Sequence, residues 1–309
     1  MAFAPRAHRS ANRNRLSVRR NGGKIKWIFP LMTDRPTQVI IIVRFSYPAL
    51  GGFRQRMADM DAQREFLYAP ERLHRRFFLF ESLTLPALRA QTDPNYIALF
   101  LVGEDMPSWA FDRLMAGLVD LPSARIIAMP PHHNHAAISK ALSQVNSDPK
   151  AYRATVRLDD DDGLDVSFIE RLRTTSAKIH SLMARATPTI VSYNRGLALK
   201  LSGDRPLFIS VTERMPPGSG PAMIAPPGSV AHIYDRNHRL LPQFFDTFSE
   251  AHSPAFIRTI HPDNDSQPHL SGLTHPLSCV DLKETISKSF SYLPTALRPP
   301  EAIPGGKDE

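Results

Sequence analysis

The chain has 309 residues, 38 lysines and arginines against 30 acids, a formal net charge of +8 and one cysteine, Cys279. Eight of the basic residues and no acid fall within residues 1–26, so the other 30 basic residues balance the 30 acids and the body is neutral. A uniformly basic nucleic-acid binder and a disulfide or zinc–cysteine scaffold are excluded, and a reducing compartment, the cytoplasm, is the expected setting.

Residues 1–35 read as a basic, disordered tail. It lacks the apolar stretch and cleavage site of a secretory signal, offering only the short WIFPLM at 27–32. It suits a nucleic-acid arm, a patch holding the protein to an anionic membrane face, or sequence outside the folded domain. Met32, just before the first strand, favours the last as an alternative start.

The run VIIIV at 39–43 is far short of the roughly 20 residues that cross a bilayer and reads as a buried strand. Strands are expected at 39–44, 96–102, 125–129, 153–158 and 188–194, with helices at about 66–90, 108–119, 135–146 and 164–184 between them. That alternation predicts an α/β fold: a mostly parallel sheet with helices on both faces. Beyond residue 204 the composition shifts, since residues 205–309 hold 15 of the 28 prolines, so a loop-rich part with short edge strands is expected. The folded body is expected over 36–292, its halves meeting near 195, with 293–309 a disordered tail.

The sharpest motif is RLDDDDGLDVSFIERL, 157–172. Four adjacent aspartates at a strand end repel one another unless a cation is near. If the chain stays extended, Asp159 and Asp161 face one side and Asp160 and Asp162 the other. Mg²⁺ or Mn²⁺, which take oxygen ligands, would suit such carboxylates beside a phosphate. Asp160, Asp162 and Gly163 also spell the DxDG of haloacid-dehalogenase-like phosphatases, in which Asp160 would be the nucleophile, but Leu164 follows where that family has threonine. The run His132, His133, His135 follows two prolines and reads as loop histidines rather than a metal site.

A strand followed by Asp159, Asp161 and Asp162 and then Phe168 and Ile169 resembles the nucleotide-sugar glycosyltransferases of GT-A fold, with Val166 where many members have proline. RFSYPALGGF (44–53), FESLTLPALRAQTDPNYIALFLVGEDMP (80–107), RLDDDDGL (157–164) and FIRTIHPDNDS (256–266) narrow the resemblance to a bacterial rhamnosyltransferase family over about 38–267. The resemblance implies a nucleotide-diphosphate sugar donor such as dTDP-rhamnose, bound in the half at about 38–195. It also implies Mn²⁺ or Mg²⁺ on Asp159, Asp161 and Asp162, and a saccharide or lipid-linked acceptor met by the half at about 196–292. His261, beside Asn264, matches a C-terminal histidine that such enzymes bring to the metal, ahead of His238. Arg44, Ser46, Gln91, Asp93, Arg157 and Asp160 are the candidates for donor binding, and Glu213 and Asp235 for the catalytic base. Peripheral contact with the inner membrane face is allowed for, and nucleic acid is not expected as a partner. The competing readings are a nucleic-acid-binding protein using the basic arm and the phosphatase.

Overall fold

In the computed structural model, the described residues are 36–51, 58–146, 148–182, 187–201, 206–262, 264 and 272–298. Residues 1–35 and 299–309 of the two expected tails lie outside them, whereas 293–298 of the C-terminal one are described and bury Leu293 and Leu297 in the core. The strands are β1 (Thr37–Arg44), β2 (Tyr96–Gly103), β3 (Ala124–Met129), β4 (Tyr152–Asp159), β5 (Gly163–Leu164), β6 (Thr189–Tyr193), β7 (Arg195–Lys200), β8 (Leu207–Thr212), β9 (Ala222–Ala225), β10 (Asp246–Glu250), β11 (Phe256–Ile260) and β12 (Leu273–His275). The helices are α1 (Met60–Tyr68), α2 (Pro70–Leu79), α3 (Leu85–Arg89), α4 (Ser108–Leu118), α5 (Asn134–Ser143), α6 (Phe168–Leu182) and α7 (Cys279–Ser289).

β1 sits between β2 and β4, parallel to both. A strand paired on both edges and covered on both faces must be apolar throughout, which is why VIIIV runs without alternation. Val39, Ile41 and Val43 enter the core under α2, α3, α4 and α6, while Ile40 and Ile42 enter the one under α5. The seven-stranded sheet runs β10-β6-β9-β4-β1-β2-β3. It is parallel except where β9 inserts antiparallel between β4 and β6. The fold is α/β, as expected, with one sheet mostly parallel. The second, five-stranded sheet, β12-β8-β7-β11-β5, is largely antiparallel and packs on α7 through Leu197, Leu199, Ile257, Leu282, Ile286 and Phe290.

The helix expected over 66–90 is a chain of shorter pieces. Asp59 caps α1 by accepting the Ala62 N–H at 2.9 Å, Pro70 opens α2, and a π-helical turn at Phe80–Thr84 leads into α3. Pro86 brings no backbone donor, so the regular ladder cannot run through it. α6 begins at Phe168 rather than 164, because Gly163 and Leu164 pair with Ile257 and Phe256 of β11. The Asp165 carboxylate then accepts the Ser167 N–H at 2.9 Å just before the helix.

Phe77 of α2 lies 4.8 Å from Phe45 between ring centroids, and Phe45 and Phe100 both meet Phe80. This aromatic stack fixes α2 on the sheet. Phe77→Ala should therefore cost about 3–5 kcal/mol of unfolding free energy, read as a lower denaturant midpoint.

Candidate active site

β1 and β4 run in register with Arg44 opposite Asp159, so both strands deliver polar side chains to their carboxyl ends together. Open α/β sheets bind ligands outside those ends. Past β1 the chain turns at Ser46, whose φ of 46° is the one positive value for a non-glycine among the described residues. Such strain survives where the surroundings impose it. It aims the Ser46 N–H at Asp160 Oδ2, 3.3 Å away.

The aspartate run does not stay extended. Asp159 ends β4, and the Asp162 N–H donates back to the Asp159 carbonyl at 3.3 Å, closing a turn. The expected split into two faces is thereby replaced by four separate environments, because β5 must swing round to reach β11. Asp159 receives Arg157 at 3.4 Å on each oxygen and lies 3.6 Å from Arg44. Burial pushes its carboxyl up, but Arg157 and Arg44 outweigh this and hold it at about 2. Arg76 of α2, itself buried, donates through one nitrogen to Asp160 Oδ1 at 2.9 Å and to Asp161 Oδ2 at 2.6 Å. Asp161 Oδ2 also meets His261 Nε2 at 2.9 Å and the Asn264 amide at 3.4 Å. Burial again works upward on Asp161, but Arg76, with His261, keeps it below the usual carboxylate range.

Asp162 differs from its neighbours. Its Oδ1 accepts the Thr259 N–H at 2.8 Å, its Oδ2 bonds the Ser219 hydroxyl, and its carbonyl accepts Thr84 Oγ1 at 2.8 Å. Both carboxylate oxygens are hydrogen-bonded to the fold. Burial, followed by the charges of Asp161 and Asp159, pushes its carboxyl well above the usual range. A carboxyl raised on folding contributes most below its unfolded pKa, near 4, and loses that contribution as pH rises toward the folded value. Asp162→Asn keeps the acceptor for Thr259 and removes this loss. The variant should unfold no lower than the parent at pH 7 in a thermal melt and keep the parent's turnover.

Gly163 explains how the turn fits. A Cβ there would collide with the Tyr292 hydroxyl and sit 3.0 Å from Leu83 Cδ1.

These groups line a cavity of about 590 Å³, with Arg44, Ser46, Arg157, Tyr234, His238, Arg258 and Asn264 in its wall. The Arg44 and Arg157 guanidiniums lie 5.3 and 5.5 Å from the Tyr234 ring centroid. Arg44 is also held by Asn134 Oδ1 at 2.8 Å, and Arg157 by His238 Nδ1 at 3.2 Å. Burial, followed by Arg157, lowers His238 to about 3, so it stays neutral and accepts from Arg157. The Ser46 and Thr259 hydroxyls and Arg157 Nε are buried without a hydrogen-bond partner, which leaves donors for a ligand.

Of the sequence-derived candidates, Arg44, Ser46, Arg157, Asp159, Asp160, Asp161, Asp162 and Asp235 line this cavity, and His261 contacts it through Asp161. Three lie elsewhere. Gln91 donates to the Ala87 and Asp165 carbonyls at 2.9 Å and accepts the Ile169 N–H, so it fastens the start of α6. Asp93, before β2 and hence at the opposite end of the strands, pairs with Arg173 at 2.7 Å. Glu213 follows β8, donates its N–H to the Asn194 carbonyl, accepts the Asn194 side-chain amide at its own carbonyl, and is not among the cavity's described lining residues. Arg76, Tyr234 and Arg258 were missed. The apolar stripe Leu73, Phe77, Phe80 puts position 76 on the inward face of its helix, and an arginine there was the available signal.

The strand-end cavity thus combines carboxylates with arginines. Residues 38–272 match the family described as "Putative rhamnosyl transferase", and the chain belongs to that family. No curated protein sequence matches it. Among solved structures, residues 1–349 of S. aureus TarS align at 10% identity and a TM-score of 0.41, covering 72% of this chain and 60% of that one. The same TarS segment in complex with UDP aligns at 10% identity and 0.39, covering 73% and 61%. Both coverages leave more than a third of the TarS segment unmatched. Among the described residues no helix is long and apolar enough to cross a membrane.

Proposed function

We propose that the cavity binds a nucleotide-diphosphate sugar, with rhamnose as the sugar moved and a saccharide or lipid-linked acceptor, in a reaction that requires Mn²⁺ or Mg²⁺. The observation that carries this reading is the pairing of Arg44 and Arg157 with Asp159 at one strand end. The donor types suit a divalent ion. The Asp159 carboxylate is met by contacts of 3.4–3.6 Å, its side chain is 30% exposed, and Asp161, bonded to His261, lines the same cavity. Asp159, Asp161 and His261 are the residues that would hold the ion. When bound it acts as a Lewis acid for the departing diphosphate.

The protein's own groups supply the rest. Arg44 and Arg157, held in place by Tyr234, Asn134 and His238, present donors to phosphate oxygens, where charge develops as the glycosidic bond breaks. The unpartnered Ser46 hydroxyl offers one more donor. Asp160, the nucleophile of the phosphatase reading, is already bonded by the Ser46 N–H and Arg76.

The test is release of nucleoside diphosphate from a panel of nucleotide sugars, with Mn²⁺ and with chelator. Metal-dependent release, strongest from a dTDP-deoxyhexose, supports the reading. No release from any nucleotide sugar with a range of acceptors, or a phosphoenzyme at Asp160, would overturn it.

A further inference from the structure

We infer that His135, His232 and Asp235 form a second divalent-metal site, selective for a transition ion such as Zn²⁺ and separate from the aspartate turn. The three residues come from the first turn of α5 and from the loop after β9, and their ligand atoms lie within 4.8 Å of one another. Asp235 Oδ1 is 3.3 Å from His135 Nε2 and 3.2 Å from His232 Nδ1.

Hydrogen bonding does not account for this arrangement. Asp235 Oδ1 is buried yet has no hydrogen-bond partner, despite two imidazole nitrogens beside it. The Tyr234 N–H donates to His232 Nδ1 at 3.2 Å, which places the imidazole hydrogen on Nε2, facing Ser139 Oγ at 2.8 Å. The lone pairs of Nδ1 and Oδ1 therefore converge with no proton between them. Ligands about 2.0–2.1 Å from a tetrahedral zinc stand roughly 3.3 Å apart, which is the spacing of Asp235 Oδ1 from each imidazole nitrogen. An ion would exchange the long backbone contact to Nδ1 for a coordinate bond, and Ser139 would orient the imidazole from behind. Two imidazoles and one carboxylate favour Zn²⁺ or Co²⁺, whereas the oxygen-rich aspartate turn favours Mg²⁺ or Mn²⁺.

The site has a consequence for the cavity. Its ligands adjoin Asn134 and Tyr234, two of the residues that contact Arg44. An ion here pins α5 to that loop and steadies the wall. It also employs Asp235 as a ligand rather than as a base.

The experiment is calorimetric titration of Zn²⁺, with Co²⁺ absorption in parallel, into the chelator-treated full chain carrying Cys279→Ser, so that the exposed thiol cannot contribute. Each metal should bind with a visible Co²⁺ band that survives Asp161→Ala. Binding should weaken about 100-fold or more in His135→Ala, since loss even of an outer-sphere partner costs 10–100-fold. His135 is exposed, so its removal spares the fold; Asp235→Asn is the second variant and should behave alike. No binding, binding undiminished in both variants, or binding lost with Asp161→Ala instead would overturn the proposal.

Discussion

Asp161→Ala should lower metal-dependent turnover by about 1,000-fold, equivalent to roughly 4 kcal/mol of transition-state stabilisation, which is the scale of a lost Lewis-acid interaction. Asp161 is where three elements meet: Arg76 from α2, and His261 and Asn264 from the segment after β11, all reach its Oδ2. Asp161→Asn preserves the shape and removes the charge, so comparing the two variants separates a lost ligand from a collapsed turn. Both should release nucleotide slowly, and the asparagine variant should melt close to the parent. Asp162→Asn is the contrasting case, because its carboxyl is bonded to Thr259 and Ser219 and faces structural partners.

The second large effect falls on stability. Arg76→Ala leaves Asp160 and Asp161 buried without their shared guanidinium. Breaking a buried charge pair by removing one partner costs about 3–5 kcal/mol. For a folded unit of this size that corresponds to a thermal midpoint lower by about 10 °C. Arg76→Lys keeps the charge but replaces a planar fork with a point donor, so it should restore only part of the midpoint. An Arg76→Ala protein melting with the parent would show that the aspartates find other counter-charges. The dependence on α2 also links this result to Phe77, which docks the same helix on the sheet.

The sheet was readable because its strands are bounded, apolar and interleaved with helical periods, and β1 to β4 and β6 appear close to where the hydrophobic runs put them. The carboxyl end of β4 was readable for the same reason: an apolar strand that ends in four carboxylates is unusual chemistry. Elements built from weaker patterns were not foreseen. The strand Gly163–Leu164 has two residues and exists through its pairing with β11, so nothing local announced it. β9 reads AMIA among prolines, and its place between β4 and β6 is a tertiary decision. α7 does carry a signal, Ser278 accepting the Asp281 N–H ahead of Leu282 and Ile286, but it stood inside a stretch whose prolines suggested loops.

The site followed the same rule. Residues flanking the strand ends, Arg44, Ser46 and Arg157, could be found from the strands alone. Gln91 and Asp93 sit at the other end of β2, which chain order reveals only once the sheet direction is applied. Tyr234 and Asp235 come from the loop after β9, so their meeting with α5 depended on the fold. His135 likewise acquires significance only beside His232.

Calorimetric titration of UDP and dTDP into the full chain, with Mn²⁺ and with chelator, tests the central claim most directly. Saturable binding that needs Mn²⁺ and disappears in Asp161→Ala and in Arg44→Ala is the predicted result. Failure of both nucleotides to bind, or binding indifferent to the metal and to both substitutions, would contradict a diphosphate site at the ends of β1 and β4.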